Sequence, residues 1–414
     1  MDAQTRIAHV LRKYDPQAWG GTETHVAALT GALRGQGFEA EVHAPTGPEA
    51  QDRALAPWVP LRRFHAFTPF LASGAQRRAL WEMSGNIASI EEPLRLGFDP
   101  GLALTHVHTL GRIGGGVRTA MRLTGRPYVV SVHGPLLGAP EILRSDVERR
   151  LAGTIDLGKP LGWLLGSRRV IDDAARVICF NEEERAALAQ RIGDRAVRLD
   201  HGVDLERFAA GDEDRARARW PELGDDPVVL LVGRLSEQKN QRLALAAFAG
   251  VRQQARLVFV GAETDRDERA RLEQEASQLG VRERVHFLGN VQPSAIPDLL
   301  ARATLSITPS IHEAFGLVVL EAWAARRPVL FARRSGLADL ADALGEPGWA
   351  LDSLDVEAWS RGIERALADG PARAEISQRG RELVERRFSW DAVAQRTAGL
   401  YREVLAERSQ GRAA

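Results

Sequence analysis

Cysteine and lysine are nearly absent from this chain. Cys179 is the one cysteine in 414 residues, which excludes an internal disulfide and a cysteine-cluster metal site. It lies in the apolar run Val177-Ile178-Cys179-Phe180, where a buried strand position is its expected role. Lysine occurs only as Lys13, Lys159 and Lys239, and every other basic residue is arginine. Genomic base composition produces such a bias. Its corollary is that each remaining lysine marks a place where a compact ammonium can be needed. Net charge is missing too: 55 basic residues face 55 acidic ones, so there is no global field of the kind nucleic-acid binding uses. No uncharged apolar run approaches the roughly 18 residues of a membrane span. No apolar leader precedes the first strand, and a cytoplasmic protein is expected. Repeats and low-complexity tracts are also lacking.

What is present is an alternation of short apolar runs and helical stretches. The opening reads strand (Ile7–Leu11), glycine loop (Gly20-Gly21), helix, strand (Glu39–His43), with further runs at Leu102–Leu104, Tyr128–Val132 and Arg176–Cys179. The pattern restarts after a polar stretch to about Asp226, with runs at Val228–Val232, Leu257–Val260, Val285–Leu288, Leu305–Thr308 and Val329–Phe331. Strands alternating with helices imply parallel sheets covered on both faces. The fold class expected is therefore α/β, with two Rossmann-like, doubly wound domains and a ligand cleft between them. The division expected is 1–205 and 206–389, with a C-terminal helix, about 390–414, packing back onto the first domain. The segment from Pro57 to Pro100 mixes Trp58, Arg62, Arg63, Phe64, Phe67, Phe70, Arg77, Arg78 and Trp81. It reads as an amphipathic helix pair over the first sheet, or as a weak peripheral membrane contact through about 58–81.

Two motifs carry chemistry. Glu313 and Glu321 bracket a strand–loop–helix segment, Glu-Ala-Phe-Gly-Leu-Val-Val-Leu-Glu. A helix start presents unpaired N–H groups and a positive dipole end to a phosphate, and carboxylates accept from sugar hydroxyls. Glu313 is expected on the loop and Glu321 about two turns into the helix. The second motif, Gly233 to Asn240, also follows a strand and opens a helix. Its Arg234 and Lys239 can converge on one diphosphate, the arginine as a fork and the lysine as a point charge. The strand order in sequence places three strands between the two motifs. His106 and His108 flank the end of another strand, but no acidic or cysteine partner is close in sequence, so no metal is expected. Gly114-Gly115-Gly116 can cradle phosphate or ease a helix start.

Together these residues resemble the donor site of retaining GT-B glycosyltransferases of the large GT4 family: Arg234 with Lys239, then Glu313 and Glu321. Gly20-Gly21-Thr22-Glu23 resembles that family's glycine loop and Ser131-Val132-His133-Gly134 its active-site histidine segment. His201-Gly202-Val203-Asp204 with Phe208 resembles its hinge, and Phe388-Ser389-Trp390 the start of its last helix. The resemblance implies a nucleoside diphosphate sugar as co-substrate, a UDP-sugar before a GDP-sugar, and a sugar, lipid-linked or small-metabolite acceptor on the first domain. It requires no metal or other cofactor. It gives His133, Arg234, Lys239 and Glu313 catalytic roles: His133 beside the transferred sugar, the two cations on the diphosphate, Glu313 on the sugar hydroxyls. It gives Gly20, Gly21, Val291, Phe315, Gly316, Leu317 and Glu321 substrate-binding roles, with Glu321 on the ribose and Val291 near the base.

The glycine loop is not Gly-x-Gly-x-x-Gly, so a nicotinamide reading has no support. Ala262-Glu263 and Leu337-Ala338-Asp339 stand where the resemblance favours glycine, and glycine with glutamate. No carboxylate is clearly placed for a covalent glycosyl-enzyme. The resemblance implies retention by same-face attack, with the leaving phosphate taking the acceptor's proton. A sugar-nucleotide epimerase or hydrolase of the same architecture, or a degenerate nucleotide-sugar-binding module, would carry the same fold.

Overall fold

The computed structural model describes residues 4–14, 20–46, 60–71, 87–134, 155–156, 158–263, 267–345 and 349–413. The chain divides into two compact units: Met1–Gly202 with Trp390–Ala414, and Val203–Ser389.

Unit 1 contributes β1 (Thr5–Val10), β2 (Phe38–Thr46), β3 (Leu61–His65), β4 (Phe70–Leu71), β5 (Leu102–Val107), β6 (Tyr128–Ser131), β7 (Ile155–Asp156), β8 (Arg176–Cys179) and β9 (Ala196–Arg198). Seven of them form one sheet in the order β3-β2-β1-β5-β6-β8-β9, and β4 pairs with β7. All the pairings of the large sheet are parallel. Side chains alternate between the faces of a strand. Ile7 therefore packs with Leu29, Leu33 and Tyr401 on one face, and Ala8 and Val10 pack with Val117 and Met121 on the other. Tyr401 belongs to the helix Trp390–Ala413, so the last helix supplies part of this unit's core. The strand order reverses between β1 and β5, the place where doubly wound sheets open a ligand crevice at their carboxyl ends.

Unit 2 contributes β10 (Val228–Val232), β11 (Arg256–Val260), β12 (Val285–Gly289), β13 (Leu305–Thr308), β14 (Val329–Ala332) and β15 (Ala350–Leu351). Their order is β12-β11-β10-β13-β14-β15, again all parallel. Only β11 and β12, not three strands, intervene between β10 and β13 in sequence, and in space the two are neighbours. The reversal of strand order at β10 and β13 brings the two charged motifs together. Trp359 and Phe248 are fully buried in one core cluster, and Trp323 meets Phe331 edge-on at 5.9 Å.

The segment 57–100 is not a helix pair in its described part. Leu61–His65 is a sheet strand, and the helix Glu91–Phe98 follows later. Phe64 is buried, Arg62 pairs with Glu41 at 2.9 Å, and Arg63 donates to the carbonyls of Pro45 and Tyr14. Phe64 faces the core, and both guanidinium groups are engaged by protein acceptors although Arg62 is exposed. Trp58, Arg77, Arg78 and Trp81 lie outside the described residues. No described helix is long and apolar enough to cross a membrane.

Gly114, Gly115 and Gly116 lie inside the helix Gly111–Thr124 and do not start it. A Cβ on them would come within 2.6 Å of the Thr109 carbonyl, Ser167 Oγ and Pro93 Cγ respectively. They serve close packing and form no phosphate cradle.

Candidate active site

In unit 2 the loop after β10 and the loop after β13 run side by side. Ile311 N donates to the Gln238 carbonyl at 2.9 Å, Gln238 Nε2 to the His312 carbonyl at 2.8 Å, and Asn240 Nδ2 to the Pro309 carbonyl at 3.2 Å. These bonds bring Lys239 to Glu313, 74 positions on, and the two form an ion pair. Ser310 Oγ donates to the same carboxylate oxygen at 2.7 Å. The lysine stem lies over Gly233, where a Cβ would come within 3.2 Å of its Cδ. Arg234 is exposed and has no ion-pair partner among the described residues. Gly261, at φ +151°, packs so closely on Gly233 that a Cβ would stand 2.1 Å from its carbonyl oxygen. Ala262, which stands where the resemblance favours glycine, accepts from Leu235 N at 2.9 Å.

Glu313 is buried and precedes the helix Leu317–Ala324. Gly316 caps that helix at φ 99°, where a side chain would be strained and would meet Leu337 Cδ2 at 2.4 Å. No side chain caps the helix start, so its leading N–H groups, at Gly316 and Leu317, are those a helix leaves without intrahelical acceptors. The Phe315 ring is buried against Phe388 at 5.8 Å. Glu321 is the fifth residue of the helix, just over one turn in rather than two. Burial pushes its carboxyl up to about 7, against the opposing pull of Arg207 and Lys239. The loop after β14 closes on the same place: Gly336 N donates to the Glu313 carbonyl at 2.9 Å, and Ser335 Oγ lies 2.8 Å from His312 Nδ1. Val291 is half-buried on the loop leaving β12, two strands from β10 and apart from the Lys239–Glu313 pair.

In unit 1 the helix Gly21–Leu33 begins directly at the glycine loop. Glu23 Oε2 accepts from Gly20 N at 3.0 Å, a capping box that holds the helix start. His133 follows β6, with its Nε2 2.8 Å from His108 Nδ1. His108 Nε2 in turn lies 2.9 Å from His9 Nδ1. His106 bonds Ser131 Oγ at 2.7 Å and the Tyr401 hydroxyl at 2.6 Å. His25 and His201 complete the cluster, with ring centroids 4.5 Å apart. Burial keeps the whole group neutral. It lowers His9 and His133 to about 3 and His201 to about 4, and holds His25, His106 and His108 well below the usual range. A cavity of about 410 Å³ opens beside His133, lined also by Arg12, Lys13, Glu23, Thr109 and Gly134.

Sequence spacing showed His106 and His108 as a pair. The sheet adds His9, the Cα partner of His106, and ring nitrogens of the three lie within 4.8 Å of one another. That spacing could hold a metal ion, but both nitrogens of His106 and both of His108 are already engaged in hydrogen bonds.

Comparison with known proteins decides the family. Residues 212–383 match the family model described as glycosyl transferases group 1, and residues 19–207 match glycosyltransferase family 4. A D-inositol 3-phosphate glycosyltransferase of Acidothermus cellulolyticus is 33% identical over 316 residues, covering 73% of this chain and 67% of that protein. D-inositol 3-phosphate glycosyltransferase 2 of Catenulispora acidiphila is 30% identical over 404 residues, covering 92% of this chain and 90% of that one. The chain belongs to the group 1 glycosyltransferases.

The fold of this glycosyltransferase is GT-B. Anabaena Alr3699/HepE in complex with UDP and glucose aligns with a TM-score of 0.70 at 19% identity, covering 96% of this chain and 100% of that one. Sucrose-phosphate synthase from Thermosynechococcus elongatus aligns with a TM-score of 0.72 at 23% identity, covering 98% of this chain and 100% of that one. The glycosyltransferase adds residues that its sequence did not single out. Ser310, Gln238 and His312 fasten the two loops, and Arg207, on the helix Leu205–Ala209, carries the charge that acts on Glu321. A polar residue just before or inside a glycine-marked loop was the only available signal for the first three.

Proposed function

We propose that this glycosyltransferase moves a sugar from a nucleoside diphosphate sugar, a UDP-sugar in the first instance, to the hydroxyl of a small polyol or sugar-phosphate acceptor, with retention at the anomeric carbon. The Lys239–Glu313 pair, with Arg234 unpaired among the described residues, carries this reading. Donor binding places a diphosphate on Arg234 and Lys239 and frees Glu313 to accept from the sugar's hydroxyls. The bare helix start at Gly316 and Leu317 adds backbone donors to the distal phosphate. Glu321 accepts from the ribose. UDP and UDP-glucose accompany the fold relatives, and the sequence relatives are named for D-inositol 3-phosphate. Both support the choice of substrates.

In this mechanism the bond from the anomeric carbon to the diphosphate oxygen breaks as the acceptor oxygen bonds to the same face. The acceptor proton passes to the departing phosphate. Positive charge develops on the sugar and negative charge on the diphosphate, so catalysis rests on preorganised charge and position. Arg234, Lys239 and the helix start stabilise the leaving group, and no metal is needed for that. Unit 2 holds the donor and unit 1 the acceptor, in the cavity beside His133.

The test is a panel of UDP-, GDP- and ADP-sugars with and without polyol and sugar-phosphate acceptors, followed by nucleotide release and by NMR of the product anomer. Release that needs an acceptor, with an unchanged anomer, is expected. Isomerised donor without acceptor would identify an epimerase, and binding without turnover a binding module.

A further inference from the structure

Unit 2 has a second cavity, of about 470 Å³, at the opposite edge of its sheet. Thr304 and Pro328, which immediately precede β13 and β14, line it, so it opens at the amino ends of the strands whose carboxyl ends carry Glu313 and the loop of Gly336. Four arginines line it: Arg302, Arg326, Arg327 and Arg373. None of the four has an ion-pair partner among the described residues.

Arg302 is 5% exposed. Its Nη2 donates to the carbonyls of Gly224 and Asp226 at 2.8 and 2.7 Å, but its buried Nε has no acceptor. Arg327 is in the same condition, with a buried Nε and no acceptor. Burial lowers the pKa of both guanidinium groups. Arg373 is anchored through Nη1 to the carbonyls of Ala366 and Leu367 at 2.6 and 2.7 Å. Glu213 is the single carboxylate on the lining, and it is bound to Arg217 at 2.8 Å. The Glu213 charge acts on Arg302 and Arg327 only at a distance; a buried guanidinium without a directly paired carboxylate is costly, and an orphaned buried donor adds to that cost. Arginines that converge on one cavity without a directly paired carboxylate suit a phosphate, whose oxygens accept from several forks at once.

We propose that this cavity binds a small phosphorylated anion, at a site separate from the donor loops. Arg302 and Arg327 form its floor, with Arg326 and Arg373 beside them. The volume suits a phosphate ester of hexose size and lies in the usual range for small-molecule sites. Charge, not the sugar, provides the recognition, so a neutral hexose does not bind.

Calorimetric titration of the full chain with inorganic phosphate, glucose 6-phosphate and glucose tests this, in the wild type and in the Arg234→Ala/Lys239→Ala double variant. Saturable binding of a phosphate-bearing ligand is expected in both proteins, and none with glucose. Arg327→Gln and Arg373→Gln should each weaken it by about tenfold or more, the scale of removing one charge-assisted fork. If Arg327→Gln is unfolded by circular dichroism, Arg373→Gln and Arg326→Gln provide the same reading from the other arginines. Arg373→Gln should leave glycosyl transfer in phosphate-free buffer within about twofold of the wild type. Binding that disappears in the Arg234→Ala/Lys239→Ala protein, that ignores the cavity variants, or that is seen only with anionic vesicles or nucleic acid overturns the proposal. Because the double variant removes the cations of the donor loops, failure of the functional reading and failure of this one give different results.

Discussion

His133 Nε2 lies 2.8 Å from His108 Nδ1, and His108 continues the chain to His9. Each neutral imidazole has one N–H to give, so the chain can run in only two directions. His9 Nε2 is buried without a partner, and an orphaned acceptor is tolerated better than an orphaned N–H. His9 and His108 therefore both donate through Nδ1. His133 accepts at Nε2 and keeps its own proton on Nδ1, as a hydrogen-bond donor rather than a base. Proton–nitrogen NMR of the imidazoles should find His133 in the Nδ1–H form, and His108→Leu should return it to a mixture. His133→Ala should lower kcat about 10²-fold, the scale of one lost transition-state donor. An Nε2–H His133 in the wild type would refute the directed chain.

The same histidines make the fold sensitive to acid. His9 and His133 sit near 3 in the folded chain against 6.5 when exposed. Their contribution to stability is complete above about 6.5 and is lost as pH falls toward 3, because the unfolded chain takes up protons that the folded chain refuses. Denaturant midpoints should drop steeply between pH 7 and pH 5. His9→Leu should flatten that slope by up to about 1.4 kcal/mol per pH unit, the value for one proton. An unchanged slope would remove His9 as a cause.

Glu321 behaves in the opposite sense. Its folded value of about 7 lies above the ordinary 4.5, so the folded chain holds a proton that the unfolded chain releases. Stability from this group is complete below about 4.5 and is lost as pH rises through 7. Glu321→Gln should raise Tm at pH 8 and leave it unchanged at pH 4.5. Above pH 7 it should also weaken UDP by up to about tenfold, because a neutral amide oxygen replaces the charged acceptor. A variant that lowers Tm at pH 8 would contradict the burial argument.

Lys239→Ala and Arg234→Ala should each reduce kcat about 10²-fold or more. Lys239→Ala should also loosen the β13 loop, because Glu313 loses its buried partner, and Arg234→Ala should not. Hydrogen exchange at 310–316 separates the two effects. Near-wild-type turnover in both variants would end the assignment of these residues to the diphosphate.

Both sheets were readable in the sequence because parallel strands, buried on two faces, appear as unbroken apolar runs such as Val228–Val232. Arg234, Lys239, Glu313 and Glu321 stood out as candidates because glycine punctuates the loops that carry them. What sequence could not supply was adjacency. His9 joins His106 and His108 only because β1 pairs with β5, a non-consecutive strand. Lys239 reaches Glu313 only because β13 bypasses β11 and β12 to lie against β10. The Pro57–Pro100 stretch misled because Arg62 and Arg63 on a strand and on an amphipathic helix look alike until Glu41 and the carbonyls of Tyr14 and Pro45 are seen to receive them.

The helix Trp390–Ala413 walls the same core as Ile7, Leu29 and Val129. On the ribosome that wall appears only after the whole of Val203–Ser389 has emerged. The second unit can close around its own core during synthesis, since domains fold as units. The first unit waits with one sheet face only partly covered, by the helix Gly21–Leu33. A chain stalled or ended before Trp390 therefore carries a finished second unit and a first unit with apolar surface still bare, a natural substrate for chaperones and proteases.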